Sequence, residues 1–154
     1  MHGLGNDFMV IDAIHQSIDL TADTIQALSC RKTGVGFDQC LLLEASHQPG
    51  IDFFYRIFNS DGTSVGQCGN GARCLARFIA HYGFSSKTDL IVGTTTTELK
   101  LHLNADETVT VDMGIPTWAP NPDIEPGLTA HALDVGNPHV VIPVDAVATA
   151  PVAT

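Results

Sequence analysis

Between Gly66 and Gly83 the chain changes period. From Ile51 to Ile57 apolar residues alternate with the rest, whereas Ala72, Leu75, Ala76, Ile79 and Tyr82 recur at three- and four-residue spacing, the pattern of a helix with one apolar face. Gly83 supplies a stop. The start is set by the stretch GQCGNGARC, Gly66 to Cys74. Gly69, Asn70 and Gly71 therefore open the predicted helix, and Cys68 stands just before it.

That position has chemical consequences. The first amides of a helix have no intrahelical partner and sit at the positive end of the helix dipole. A cysteine there is biased toward its thiolate, and the same amides can hold a carboxylate. Glycine lets a ligand approach backbone that carries no side chain. One short loop can thus supply a base and an anion cradle. Cys30, Cys40 and Cys74 lack this setting and are expected to be buried space-filling thiols. The four cysteines form neither a C-x-x-C pair nor a zinc pattern, so no metal is expected.

Elsewhere, Gly3 to Asp7 reads as a Gly-Leu-Gly-Asn-Asp turn ahead of a strand, Phe8 to Ile11. No strand precedes these glycines and no helix follows, so they are not a dinucleotide fingerprint. A second helix is expected from a Thr21 cap, with Ala22, Ile25 and Leu28 on one face and Gly34 as its end. FDQCLLLEA and IDFFYRIF follow as strands, with Ile51, Phe53, Tyr55 and Ile57 alternating, and NSDG, Asn59 to Gly62, is a turn. DLIVG, TTTTELKLHL and TVTVDM are further strands. The last two form a hairpin across Asn104 to Glu107, with Leu99, Leu101 and Leu103 facing Val109, Val111 and Met113. Pro116, Pro120, Pro122 and Pro126 then mark a linker that continues neither ladder nor helix. HALDVGNPHVVIPV resumes strand character around a Gly-Asn-Pro-His turn.

A formal net charge of −10 argues against a broad nucleic-acid or anionic-membrane surface, both of which need Lys and Arg to neutralise phosphate. All seven Lys and Arg lie at or before Lys100, ahead of Asp106, Glu107, Asp112, Asp123, Glu125, Asp134 and Asp145. This acidic stretch is either a solvated face or one whose cationic partners lie in other chain. With no signal peptide and no apolar run of membrane-spanning length, a cytoplasmic protein with reduced thiols and a small polar substrate is expected. Two reactions could use the Cys68 thiolate. One is Cys–His hydrolysis with His139 as base, for which no third residue to orient the histidine is evident. The other is proton abstraction beside a carboxylate, with the helix amides stabilising the charge that develops.

Taken together, MHGLGNDF, GVGFDQ, FNSDG, QCGNGARC and VGNPH resemble, in order and spacing, the N-terminal half of the diaminopimelate epimerase family. The resemblance covers essentially the whole chain and implies an α+β fold: a curled, mostly antiparallel sheet around a central helix. Residues 1–115 would form that lobe and 116–154 a linker with the first strands of an incomplete second one. It implies an isomerase that interconverts LL- and meso-2,6-diaminopimelate without a cofactor, by two-base thiolate/thiol proton transfer in lysine and peptidoglycan precursor synthesis. Family members are often homodimers.

Carried over by residue, the resemblance makes Cys68 the first of two catalytic cysteines and His139 the histidine that adjusts its protonation. The Gly69 and Asn70 backbone would hold the reacting α-carboxylate, and Asn6, Gln39, Asn59 and Asn137 would line the substrate pocket. Read alone, Asn6 and Asn59 are also ordinary turn residues, Gln39 a solvent-facing strand residue, and His139 a turn cap. The family's second cysteine, in a Cys-Gly-Ser-Gly loop, has no counterpart in this sequence. The family's initial strand is abbreviated, and threonines 94 to 97 stand where it tends to show a glycine. The isolated chain is therefore expected not to epimerise. A racemase or isomerase of the same plan on another substrate, and a non-catalytic ligand-binding fragment, are the competing readings.

Overall fold

In the strand Gln39–Ala45 four consecutive residues, Cys40, Leu41, Leu42 and Leu43, are fully shielded from solvent. Side chains alternate between the faces of a strand, so a strand buried at every position needs cover on both sides. The computed structural model, which describes residues 1–122 and 129–150, shows what provides it.

The chain divides into two units, Met1–Met113 and Gly114–Thr154. In the first, the elements run β1 (His2–Gly3), β2 (Asn6–Asp12), α1 (Ala22–Ser29), β3 (Gln39–Ala45), β4 (Phe53–Asn59), β5 (Ser64–Val65), α2 (Gly69–His81), β6 (Asp89–Gly93), β7 (Glu98–Leu103) and β8 (Val109–Asp112). They build one sheet in the order β1-β2-β3-β4-β6-β7-β8, with β5 paired to β4. β2/β3 and β4/β6 are parallel, and the other pairs are antiparallel.

α2 touches β1 and β8, the two ends of that row of seven strands, as well as β2, β3 and β7. Strands are spaced by roughly 4.8 Å and a helix is only about 10–12 Å across. No flat sheet of that width could meet one helix at both edges, so the sheet is curled around α2. Leu75, Ala76 and Ile79 of the helix pack there with Leu41, Leu43, Tyr55, Ile57, Leu90, Val92, Leu99 and Leu101. On the outer face a smaller cluster joins Ile25 of α1 to Phe37 and Cys40. These two clusters account for the double burial of β3.

The second unit holds an antiparallel sheet of three strands in the order β11-β10-β9: β9 (Thr117–Trp118), β10 (His131–Asp134) and β11 (Pro138–Val141). No described helix is long and apolar enough to cross a membrane.

Several expectations are corrected. The strand expected at Phe8 to Ile11 extends over Asn6–Asp12, because Gly3 and Asn6 pair across a two-residue turn. α1 stops at Ser29, well before Gly34, since the Cys30 to Gly36 segment folds back and Val35 and Gly36 both donate to the Leu28 carbonyl. Ala22 is exposed and only Ile25 of that face is buried. The threonine run is a turn, not strand: the Thr94 hydroxyl takes the Thr96 and Thr97 amides. Tyr82 is 65% exposed and caps α2 rather than joining its buried face. Thr117 and Trp118 form a short strand inside the proline-rich stretch, while Pro126, Asp123 and Glu125 lie outside the described residues. Among the acidic residues past Lys100, Glu107 does find a cation, Arg77 at 3.1 Å.

Candidate active site

Cys68 is the N-cap of α2, in extended backbone (φ −150°, ψ 112°), and its sulfur accepts the Gly71 amide at 3.4 Å. Its carbonyl takes the Ala72 amide at 2.8 Å. Helix geometry leaves the Gly69 and Asn70 amides without an intrahelical partner, and no acidic residue occupies the first turn. The Asn70 side chain is engaged, its Oδ1 accepting from Arg73. Two glycines shape this mouth. A Cβ on Gly71 would lie 3.1 Å from Leu41 and 3.4 Å from Phe8, so the helix start is pressed onto β2 and β3. A Cβ on Gly69 would meet the Met113 sulfur at 2.9 Å. The half-buried thiol thus sits on a rigid support, beside amides suited to an anion.

Asn6, Gln39 and Asn59 are brought together. Phe8 pairs with Gln39 and Gln39 with Asn59, which aligns one end of β2, β3 and β4. The Asn6 amide nitrogen lies 3.4 Å from Gln39 Oε1, Gln39 Nε2 donates to Asn59 Oδ1 at 3.0 Å, and Asn59 Nδ2 donates to Thr63 Oγ1 at 3.1 Å. A row of amides results, in which each residue is oriented by the next.

The flanks of the row are tied down by charge. Arg31 donates to Asp7 at 2.8 Å and to Asp38 at 2.9 Å, and Asp38 also takes the Asp7 amide at 2.8 Å. That amide, together with Arg31, holds the Asp38 carboxyl below the usual carboxylate range. The NSDG turn docks on α1 through Gln26 to the Asp61 carbonyl at 2.8 Å and Ser29 to the Ser60 carbonyl at 3.1 Å. Gly62 is left-handed there (φ +84°), and a Cβ on it would lie 2.6 Å from Ala22.

Asn137 and His139 belong to the second unit. His139 opposes Leu133 in the β10/β11 hairpin, is exposed, and has Nδ1 3.0 Å from the Asn137 carbonyl, a contact that fits a proton on Nδ1. Of the remaining thiols, Cys40 and Cys74 are buried as expected, and burial pushes Cys40 up to about 11 and raises Cys74 as well. Cys30 differs: it is exposed at the end of α1, and the Thr33 hydroxyl with neighbouring amides lowers its pKa.

Sequence reasoning missed three groups. Thr63 closes the amide row, a role hinted at only by its place just after NSDG. Tyr55 was legible as core, but its hydroxyl is buried without a hydrogen-bond partner. Gln67, beside Cys68, is 1% exposed with neither side-chain atom partnered; a polar residue in a glycine loop gives no hint of burial.

Residues 1–119 match the model of the diaminopimelate epimerase family. Proteins named diaminopimelate epimerase from Legionella pneumophila strains Corby and Lens are 51% and 52% identical over 168 aligned positions, which cover 99% of this chain and 61% of each relative. The chain thus spans less than two thirds of their length. Among solved structures, a hydroxyproline epimerase from Agrobacterium vitis with bound trans-4-hydroxy-L-proline superposes with a TM-score of 0.70 at 14% identity, over 92% of this chain and 49% of that one. A phenazine biosynthesis protein of the PhzF family from Bacillus anthracis gives 0.62 at 20% identity, over 94% and 52%. At these identities the two structures show a shared fold.

Proposed function

The chain belongs to the diaminopimelate epimerase family, and on that premise we propose that it is the N-terminal part of an enzyme that interconverts LL- and meso-2,6-diaminopimelate without a cofactor. The carrying observation is the Cys68 sulfur at the mouth of a helix whose first turn holds two glycines and no acid. In the forward step the Cys68 thiolate removes the α-proton and becomes a thiol. The electron pair left on carbon spreads into the α-carboxylate, where the Gly69 and Asn70 amides meet the added charge. Inversion requires an acid on the opposite face to return a proton to carbon. That acid, a second cysteine in the family pattern, would come from a second lobe, of which residues 116–154 would be the start.

Asn6, Gln39 and Asn59 would read the far amino-acid end of the substrate. A cross-linked row of fixed donors and acceptors suits a polar, two-ended molecule and supports diaminopimelate over a proline-type ring. Asn137 and His139 are assigned to substrate and to proton control by the resemblance alone. A homodimer and a cytoplasmic setting are parts of the same proposal.

Deuterium exchange tests this. In D2O, the 154-residue chain should incorporate α-deuterium into meso-diaminopimelate slowly and form no LL isomer. Cys68→Ala should lower that exchange by roughly 10²–10⁴-fold, the range of general acid–base catalysis. Exchange that survives Cys68→Ala, or LL product at enzyme-like rates from this chain, would overturn the proposal.

A further inference from the structure

The amide row faces the same side of the curled sheet as the helix. Asn6 lies two residues before Phe8, Gln39 two before Leu41 and Asn59 two after Ile57, and those three apolar residues pack in the cluster under α2. The two-residue period of a strand therefore turns all three amides to that face. Asp7 alternates to the other face, where Met9 and Ile11 meet the Ile25 cluster of α1. Charge is thus arranged behind the row and not in it.

What binds that charge is Arg31. Its Nη1 donates to Asp7 at 2.8 Å and its Nη2 to Asp38 at 2.9 Å, so one guanidinium spans the residue after Asn6 and the residue before Gln39. Asp38 Oδ2 takes the Asp7 amide at 2.8 Å, the Asp38 amide donates to the Asp7 carbonyl at 2.9 Å, and the Ser60 amide donates to the Asp38 carbonyl at 3.1 Å. Asp7, Asp38 and Ser60 form a second row, one residue out of step with Asn6, Gln39 and Asn59. The base of Arg31 is fixed as well: Val35 and Gly36 close onto the Leu28 carbonyl, and a Cβ on left-handed Gly36 (φ +81°) would lie 3.0 Å from Arg31 Cγ.

Stability gives little reason for this bridge. The side chains of Arg31, Asp7 and Asp38 are 56%, 43% and 45% exposed, and ion pairs that wet add little. The register of β2 and β3 is set without it, by the ladder that runs from Phe8 and Gln39 to Asp12 and Leu43. Asn6 lies outside that ladder, and its 3.4 Å contact with Gln39 is the longest link of the row. Without the guanidinium, two carboxylates would repel each other beside this link and draw Asn6 away from Gln39.

We propose that Arg31 is a positioning residue for the amide row: by holding Asp7 and Asp38 together on one face, it sets the distance between Asn6 and Gln39 on the other. That role rests on the reading of the row as the surface for the far end of the substrate, but the experiment observes the row itself.

The test is nitrogen-15 NMR of the side-chain amides in the 154-residue chain, comparing Arg31→Met, Arg31→Lys and Arg56→Met. Arg56 is the control, since it bridges β4 to Glu44, toward the other end of β3, at 2.8 Å and 3.1 Å with 42% exposure. Arg31→Met should speed exchange of the Asn6 side-chain amide protons with water by about 2–10-fold, the net worth of one hydrogen bond. Gln39 should shift with it, and Asn59 least, because Thr63 holds it from the other side. Arg31→Lys keeps the charge but cannot fork between two carboxylates, and it should fall between Arg31→Met and wild type. Arg56→Met should leave all three amides in place, and both methionine variants should melt within about 4 °C of wild type. An unchanged row in Arg31→Met, or an equal change in Arg56→Met, would overturn the proposal; if Arg31→Met does not fold, Arg31→Lys against Arg56→Met decides it. Adding meso-diaminopimelate to the same samples separates the two readings. If Arg31→Met loosens the row and binding is unchanged, Arg31 keeps its role and the row loses its assignment to the substrate.

Discussion

The two helices of the first unit begin in the same way and end up with different chemistry. Thr21 caps α1 from extended backbone (φ −87°, ψ 159°), its hydroxyl accepting the Thr24 amide at 3.2 Å. Cys68 caps α2 from extended backbone and accepts the Gly71 amide at 3.4 Å. In each case the cap takes the third amide of the helix. At α1 the arrangement favours stability, with a strong oxygen cap and Asp23 in the first turn to meet the dipole. At α2 a poorer cap stands ahead of glycine, asparagine and glycine with no acid, and each glycine costs about 1 kcal/mol of helix propensity. The body of the helix compensates: α1 buries only Ile25, whereas α2 buries Gly71, Ala72, Cys74, Leu75, Ala76 and Ile79. A helix held this firmly by its sides can leave its mouth to a ligand.

The largest break in this contrast comes from giving α2 the first turn of α1. Asn70 stands where Asp23 stands, second in its helix. Asn70→Asp changes one atom and retains a partner in Arg73. It should raise stability by about 0.3–1 kcal/mol through the dipole. A carboxylate beside the mouth would repel a bound one, so calorimetric affinity for meso-diaminopimelate in the full two-lobed enzyme should fall by roughly tenfold or more. Asp23→Asn should cost a few tenths of a kcal/mol and leave affinity unchanged. Equal affinity for wild type and Asn70→Asp would show that the α2 mouth is not where the anion sits.

The α2 start, the Cys68 cap and the Leu/Val hairpin were legible because each is fixed within a few residues by period, glycine or turn chemistry. The amide row was not legible as a structure. Asn6 and Gln39 are separated by 33 residues, and their meeting depends on the parallel register of β2 and β3, which no local pattern encodes. Tyr82 fell at helical spacing yet points to solvent, since periodicity does not say where a helix runs past its sheet. The threonines have strand propensity, but the Thr94 hydroxyl competes for the backbone and makes a turn. The burial of two unpartnered polar side chains, Tyr55 and Gln67, was invisible for the same reason as the amide row. It needs the β4/β5 ladder before it can be seen.

A middle-sized effect separates the caps as structural parts. Thr21→Ala should destabilise by about 1 kcal/mol, roughly 2–4 °C in melting temperature for a chain of this size. Cys68→Ser should move the other way, by up to about 1 kcal/mol, because serine is among the strongest caps, while α-proton exchange disappears. Scanning calorimetry on both variants checks the pair. If Cys68→Ser destabilised the chain as much as Thr21→Ala, the sulfur would be a structural cap like the threonine and the contrast would fail.

The smallest effect is one of pH, and around the two helix starts it falls on the α1 side. Asp38 is held below its ordinary value by the Asp7 amide and Arg31, and Asp61 by the Thr63 hydroxyl and amide. These two carboxylates anchor the segments that carry Gln39 and Asn59. With folded values below unfolded ones, their contribution is fully present above the unfolded carboxylate pKa, about 3.9. It is lost as pH falls through the depressed folded values. Both groups are exposed to solvent, so the loss should be smaller than that from Thr21→Ala. Melting temperature followed from neutral pH down to about pH 3 should fall below roughly pH 4, and an Asp38→Asn, Asp61→Asn double variant should show a shallower fall. The Gly71 amide bond to Cys68 has no acid in its turn, so peptide-resolved hydrogen exchange should loosen at the amide row before the α2 cap. The reverse order would mean that α2, for all its burial, has the weaker start.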